Sequence, residues 1–207
     1  MKSALITGGS RGIGKACVEL LSNSGYEVLQ PTRNELDLIN PSSITNYIEQ
    51  LGKIDLLVNN AGIAQRKPFM ELTVGDWNHM LDTNLRGTFL VTQGVLRNCM
   101  LPYNHGSIIN IGSMGGVTGG VEQVHYATSK AGIISLTQSI NRLYAEHGIR
   151  CNCVNPGVID TDMNASYHLT NLPKCGRIGT VDEVAEVVKL LAESTYIYGE
   201  SINMNGG

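Results

Sequence analysis

"TGGSRGIG" (Thr7–Gly14) decides how this chain is read. It follows the short apolar run "SALIT" at 3–7 and leads into a helical pattern over about 12–23. A strand, a glycine-rich turn and a helix in that order divide the work among the glycines. Gly8 permits the tight turn, Gly12 lets the backbone approach a diphosphate, and Gly14 allows the helix to pack close to the sheet. The helix N-terminus then directs its N–H groups and the positive end of its dipole at the phosphates. Ser10, Arg11 and Ile13 are the remaining candidate contacts on this turn. Glycines also serve ordinary turns; placement after a first strand and before a helix is what points to nucleotide binding.

Outward from the turn, short apolar runs alternate with helical patterns. Strands are expected at 3–7, 27–32, 54–59, 107–111, 149–155 and 201–205, and helices at about 12–23, 41–51, 73–98, 125–146 and 181–193. Several strands are almost continuously apolar, as parallel strands covered on both faces should be. Asn40-Pro41 supplies an N-cap followed by proline at the first helical position. Thr180 with Glu183 matches a capping box. With no repeat or linker, the expectation is a single-domain α/β protein, residues 1–207, built as a doubly wound parallel sheet.

Composition narrows the function. A net charge of −3, with no run of lysines or arginines, excludes a generally basic nucleic-acid binder. No stretch of 18 or more uncharged apolar residues occurs, so no transmembrane helix is expected. Met1 leads into "KSALITGG", too soon broken by glycine for a signal peptide, and the expectation is a soluble, cytoplasmic protein. The five cysteines (Cys17, Cys99, Cys151, Cys153, Cys175) form no CxxC pair, no metal site is expected, and they read as free core thiols.

Which nucleotide binds is a question of charge. An acid at the end of the second strand would bond the adenosine-ribose hydroxyls of NAD and repel a 2′-phosphate. Here that strand ends "QPTRN", with Thr32 and Arg33, and no acid comes before Glu35. Arg11 adds a second cation, and arginines bond phosphate directionally. Two solvated surface arginines are the competing account. NADP(H) is expected over NAD(H).

In "HYATSK" (125–130), Tyr126 and Lys130 are i and i+4 neighbours if the segment opens a helix. A nearby ammonium should then lower the pKa of the phenol toward a range useful for proton transfer. Upstream, "NIGSMGG" presents Ser113 at the end of an apolar strand, where a hydroxyl could hold a carbonyl oxygen. Alone, a Tyr-x-x-x-Lys pair is also compatible with an ordinary surface helix.

Together with the glycine turn, the set resembles the short-chain dehydrogenase/reductase family, and within it most the 3-oxoacyl-acyl-carrier-protein reductase type. The matches fall in the family's order: "TGGSRGIG", "LDL" at 36–38, "NNAG" at 59–62, Asn84 in "DTNLRG", Ser113, Tyr126-x-x-x-Lys130, "NPGVIDTDM" at 155–163 and the ending "GESINMNGG". The resemblance implies a Rossmann-like fold and a ketone reductase. In it Tyr126 is the general acid in reduction, Lys130 bonds the nicotinamide ribose, and Ser113 orients the carbonyl. Asn84 would hold a water linking Lys130 to a proton relay; an asparagine bonding backbone is the alternative. Asp37 and the Leu38 amide would meet the adenine, although Asp37 also suits an ordinary turn. Asn60, Ala61 and Gly62 would line the adenosine ribose, or serve as a structural turn. Pro156, Gly157, Ile159 and Thr161 would bracket the nicotinamide carboxamide. Implied partners are a small-molecule or acyl-thioester carbonyl substrate and further copies of the chain, as homodimer or homotetramer. An NAD-linked alcohol or sugar dehydrogenase, and a non-catalytic dinucleotide-binding protein, are the rival readings.

The chain departs from the family after its second strand. The helix expected there is missing or shortened and the third strand vestigial, since only Asn34 and Glu35 separate Arg33 from "LDL". The segment 163–179, the expected substrate lid, is also short. His125 is expected as a partly exposed residue at a helix start, and Trp77 as packing.

Overall fold

The computed structural model describes residues 1–164 and 172–207. Six strands form one all-parallel sheet: β1 (Lys2–Thr7), β2 (Tyr26–Leu29), β3 (Leu56–Asn59), β4 (Gly106–Ile111), β5 (Ile149–Pro156) and β6 (Ser201–Met204), in the order β2-β1-β3-β4-β5-β6. The order reverses between β1 and β3, so the crevice outside the carboxyl ends of those two strands is the place for a ligand in such a sheet. This is the α/β, Rossmann-like arrangement that the sequence predicts.

Side chains alternate across the strands into two cores. Ala4, Ile6, Leu56, Val58 and Ile109 pack against α1 (Gly12–Asn23) and α7 (Val181–Glu193). Leu5, Leu57, Ile108 and Cys151 face α2 (Pro41–Ile48) and α4 (Gly87–Val95). A polar row interrupts the second face: Asn59 Nδ2 donates to Asn110 Oδ1 (2.8 Å) and to Thr92 Oγ1 (2.9 Å), and Asn110 Nδ2 to Thr137 Oγ1 (2.9 Å). Buried amides are tolerated because each finds a partner.

Both predicted caps form. Asn40 Oδ1 accepts from the amides of Ser42 and Ser43, and Thr180 and Glu183 close a reciprocal box. A second box, Thr73 with Asp76, starts α3 (Val74–Leu81). Among the described residues no helix is long and apolar enough to cross a membrane.

Three elements differ from the sequence expectation. Strand β2 stops at Leu29 rather than continuing to residue 32. Pro31 has no N–H to give a ladder, and Thr32–Glu35 closes a turn. Residues 30–40 contain neither helix nor strand, so β2 is the edge of the sheet. The expected helix over 73–98 is divided: a π turn at Asp82–Arg86 separates α3 from α4, and a second follows at Leu96–Met100. Finally, the glycine-rich segment after β4 contains a short helix, α5 (Met114–Thr118), packed against α6 (Val124–Tyr144).

Candidate active site

The glycine turn is held from below by the chain's own side chains. Gly8 and Gly12 adopt positive φ (+68° and +54°), which glycine reaches without steric cost. A Cβ on Gly14 would lie 2.1 Å from the Gly8 carbonyl oxygen, so the helix can start this close to the turn only with glycine there. Asn60 Nδ2 donates to the carbonyls of Thr7 (3.1 Å) and Gly8 (3.0 Å), while the amides of Asn60 and Ala61 donate to Thr7 Oγ1. The Asn60 side chain therefore clamps the turn. Ser10 and Arg11 are exposed on its outer side, and Ile13 packs into the α1 core. The loop after β5 reaches across: the Thr161 methyl is 3.5 Å from where a Gly12 Cβ would be. Pro156 ends β5 beside Met204, the Gly157 amide donates to the Met204 carbonyl (2.7 Å), and Ile159 is buried and bridges to Gly179. Of the expected lid, residues 165–171 lie outside the described residues.

The exit of β2 is a separate, more open cluster. Gln30 lies against the glycine turn, 2.9 Å from a Cβ built on Gly9. The Thr32 amide (2.7 Å) and hydroxyl (2.8 Å) both donate to one oxygen of Glu35. These bonds hold the Glu35 carboxyl below its usual range. Arg33 Nε is 3.7 Å from Asp37 Oδ2, and Asp37 Oδ1 accepts from the Ile39 amide at 3.2 Å. Both Asp37 oxygens thus have partners within the turn. Leu38 is buried against Gly87 at the start of α4.

The other end of the crevice is more deeply built. Lys130 is 5% exposed and its Nζ donates to the carbonyl of Ile111, the last residue of β4, at 2.7 Å. That ammonium lies 5.7 Å from the centre of the Tyr126 ring. Burial pulls the Lys130 pKa down to about 8, opposed weakly by the Cys153 thiol. The expected depression of Tyr126 is absent: burial raises its pKa, opposed only by a hydrogen bond with Ser113. The physical reason is that the ammonium stands over the ring while burial of the phenol disfavours its charged form. Ser113 caps α5, its Oγ accepting from the Gly115 amide at 3.1 Å.

Asn84 is buried in the π turn, where helical regularity is relaxed, as π turns near functional sites commonly are. Its Oδ1 accepts from the Ile63 amide and its Nδ2 donates to the Ile63 carbonyl (both 2.9 Å) and to Ser129 Oγ (3.1 Å). A Cβ on Gly62 would be 3.0 Å from Asn84 Oδ1 and 3.7 Å from Lys130 Nζ, so these three groups meet at one point. The side chain of Asn84 bonds the Ile63 backbone and the Ser129 hydroxyl.

Sequence reasoning missed one residue and misplaced another. Ser129 donates to the Tyr126 carbonyl (2.7 Å) and receives Asn84, tying the tyrosine's helix to the loop after β3. Only its helical spacing from Tyr126 could have suggested this. His125 is buried rather than partly exposed, its Nε2 3.1 Å from Gln65 Oε1. Four cysteines are buried as expected, and Cys175 is exposed.

A dinucleotide fits this crevice: the glycine turn leaves a backbone cradle that Cβ atoms would fill, with a half-buried serine–tyrosine pair and a buried lysine at its far end. The comparisons agree. The family model described as short chain dehydrogenase matches residues 36–171, beginning just past the abbreviated β2 exit. The 3-oxoacyl-acyl-carrier-protein reductases of Vibrio cholerae and Escherichia coli K12 are each 37% identical to the chain, covering 100% of it and 96% of their own length. That of Aquifex aeolicus is 38% identical with the same coverage. The alignments span 237 to 241 positions against the chain's 207 residues, so at least 30 positions of these relatives have no counterpart here. The chain belongs to the short-chain dehydrogenase family, oxidoreductases that act on carbonyl and hydroxyl groups with a nicotinamide dinucleotide.

Proposed function

We propose that the protein reduces a ketone to a secondary alcohol with NADPH, the ketone being a 3-oxoacyl thioester. The observation that carries this reading is the buried Lys130 with its ammonium 5.7 Å from the centre of the Tyr126 ring, and Ser113 Oγ and Tyr126 Cε1 both within 4 Å of a Cβ built on Gly115. When bound, the nicotinamide supplies the hydride. The chain's own residues do the rest. The Ser113 hydroxyl holds the carbonyl oxygen, and Tyr126 gives it a proton as the alkoxide forms. A phenol whose pKa is raised by burial stays protonated at neutral pH, as an acid in the reductive direction must. The Lys130 ammonium has two N–H donors left after the bond to Ile111, and these serve the nicotinamide ribose. Asn84 acts through backbone, fixing the loop at Ile63 and, through Ser129, the start of α6. The glycine turn, with Asn60, Ala61 and Gly62 beside it, holds the adenosine half. Asp37 and the Leu38 amide lie on the adenine side.

The preference for NADPH rests on Arg11, exposed on the glycine turn, and Arg33, whose contact to Asp37 is long and solvent-exposed. The thioester reading rests on the likeness to the 3-oxoacyl-acyl-carrier-protein reductases. The same reading makes the protein cytoplasmic and a homodimer or homotetramer. Phe89, Leu96, Leu136, Ile140 and Leu143 line an apolar groove between α4 and α6 suited to another copy. The test is loss of NADPH absorbance with 3-oxoacyl thioesters, sugars and simple ketones as substrates. Thioester-specific turnover supports the proposal. Tight cofactor binding without turnover on any ketone overturns it, as does an equal or greater kcat/KM with NADH.

A further inference from the structure

Resting on that reading, we propose that His125 is a positioning residue for Tyr126: hydrogen-bonded through Gln65 to Asp76, it fixes the first turn of the helix that carries the phenol. That turn lacks local support. The N-cap of α6, Gln123, makes no side-chain hydrogen bond to the helix, whereas Asn40, Thr73, Ser113 and Thr180 cap α2, α3, α5 and α7. Uncapped amides leave a helix end prone to fraying unless other segments hold it. The loop after β3 does so at two points. The Lys67 amide donates to the carbonyl of Glu122 (2.8 Å), a residue held at φ +57°, and Gln65 Oε1 meets His125 Nε2 at 3.1 Å. The loop is itself pinned to the start of α3, where Gln65 Nε2 and Lys67 Nζ donate to the two oxygens of Asp76 (3.3 and 2.7 Å).

Donor and acceptor roles along this chain of bonds are fixed. A carboxylate only accepts, so Gln65 turns its NH2 group toward Asp76 and its carbonyl toward the imidazole. His125 must then donate from Nε2, which leaves Nδ1 as a bare lone pair in the neutral ring. Burial lowers the His125 pKa, opposed by Asp76 and assisted by Lys67, so the ring is neutral at pH 7. Nδ1 is buried and has no partner among the described residues. An apolar side chain would fill the same space without orphaning a polar atom, so packing alone does not account for an imidazole here. The bond to Gln65 does. It ties the residue before Tyr126 to a loop that also meets Asn84 through Ile63. A phenol displaced by about 1 Å from its donating position loses rate rather than affinity.

Steady-state kinetics of ketone reduction, read well below the Tm of each variant, test this. His125→Leu should lower kcat about 10- to 100-fold, while KM for the ketone and Kd for NADPH stay within about twofold. His125→Gln, whose amide can still donate to Gln65, should bring kcat back to within about threefold of wild type. Gln65→Leu, at an exposed position, should lower kcat in the same way, and the double variant should lose no more than His125→Leu alone. Nitrogen-15 NMR of the wild type should find the His125 proton on Nε2 at pH 7. A wild-type kcat in His125→Leu, a loss confined to KM or to NADPH binding, additive losses in the double variant, or a His125→Gln variant no better than His125→Leu overturns the inference. So does a proton on Nδ1 instead. Should His125→Leu not fold, an unchanged kcat in Gln65→Leu overturns it equally. A wild-type protein that reduces no ketone overturns the reading of the site itself, whereas one that does, with both single variants equally active, removes only the role given to His125.

Discussion

The two ends of the crevice are built differently. At the proposed catalytic end, Lys130 reaches the last carbonyl of β4, a strand paired on both sides, and is walled in by α5, Gly62 and Asn84. At the proposed adenine end, Thr32, Arg33 and Glu35 hang from β2, four residues long and paired on one side only. No other strand depends on an edge strand, so the sheet can lose one beyond β2 without breaking a ladder. Losing a central strand would unmake the polar row and both cores. The comparison teaches that rigidity follows position in the sheet: geometry is strict where strands are flanked, and adjustable where the sheet ends.

The strongest way to break the comparison is at Tyr126. Tyr126→Phe should lower kcat for ketone reduction by about 10²- to 10⁴-fold while NADPH binding, read by fluorescence, is nearly unchanged; substantial residual turnover would mean that the proton comes from elsewhere. Next is the turn between the two ends. Gly14→Ala puts a methyl on the Gly8 carbonyl, and should lower the Tm and cost dinucleotide affinity at least about tenfold, because backbone rather than a flexible side chain must move. If Tm and affinity both hold, the turn is looser than its packing indicates.

A pH series separates the ends further. Lys130 sits at about 8, so raising the pH through that value removes its charge and should lower kcat/KM for reduction, with Lys130→Met losing the inflection. The linked stability effect has a definite sign. The folded value lies below the ordinary 10.5, so the unfolded chain holds more protons between about 8 and 10.5 and stability from this group rises through that window. A flat profile between pH 7 and 9 would contradict the burial of this amine. The smallest effect belongs to the open end: Arg33→Ala should reduce kcat/KM for NADPH by about tenfold and for NADH by less than about twofold. Equal losses for both would mean that Arg33 only supports the turn.

Much of this was legible in residues whose roles are local. The spacing of glycines at 8, 12 and 14, the Asn40 and Thr180 caps and the i, i+4 relation of Tyr126 to Lys130 follow from chain geometry, and all appear in the structure as read. The π turn at Asn84 was not legible, and the contacts its side chain makes there, to Ile63 and Ser129, are distant along the chain. Nor was the direction of the Tyr126 shift. Sequence supplies the neighbouring ammonium, but the extent of desolvation depends on what packs around the ring.

By itself the amino-acid sequence determined the alternation of strands and helices, the glycine-rich turn and the order of the proposed catalytic positions, since these depend on residue type and short spacing. Only the tertiary structure decided that Asn60 clamps the turn, that Asn84 binds backbone, and that Glu35 folds back onto Thr32. Each of those rests on which donor meets which acceptor, and that is settled when separate segments are brought together and water is removed from between them.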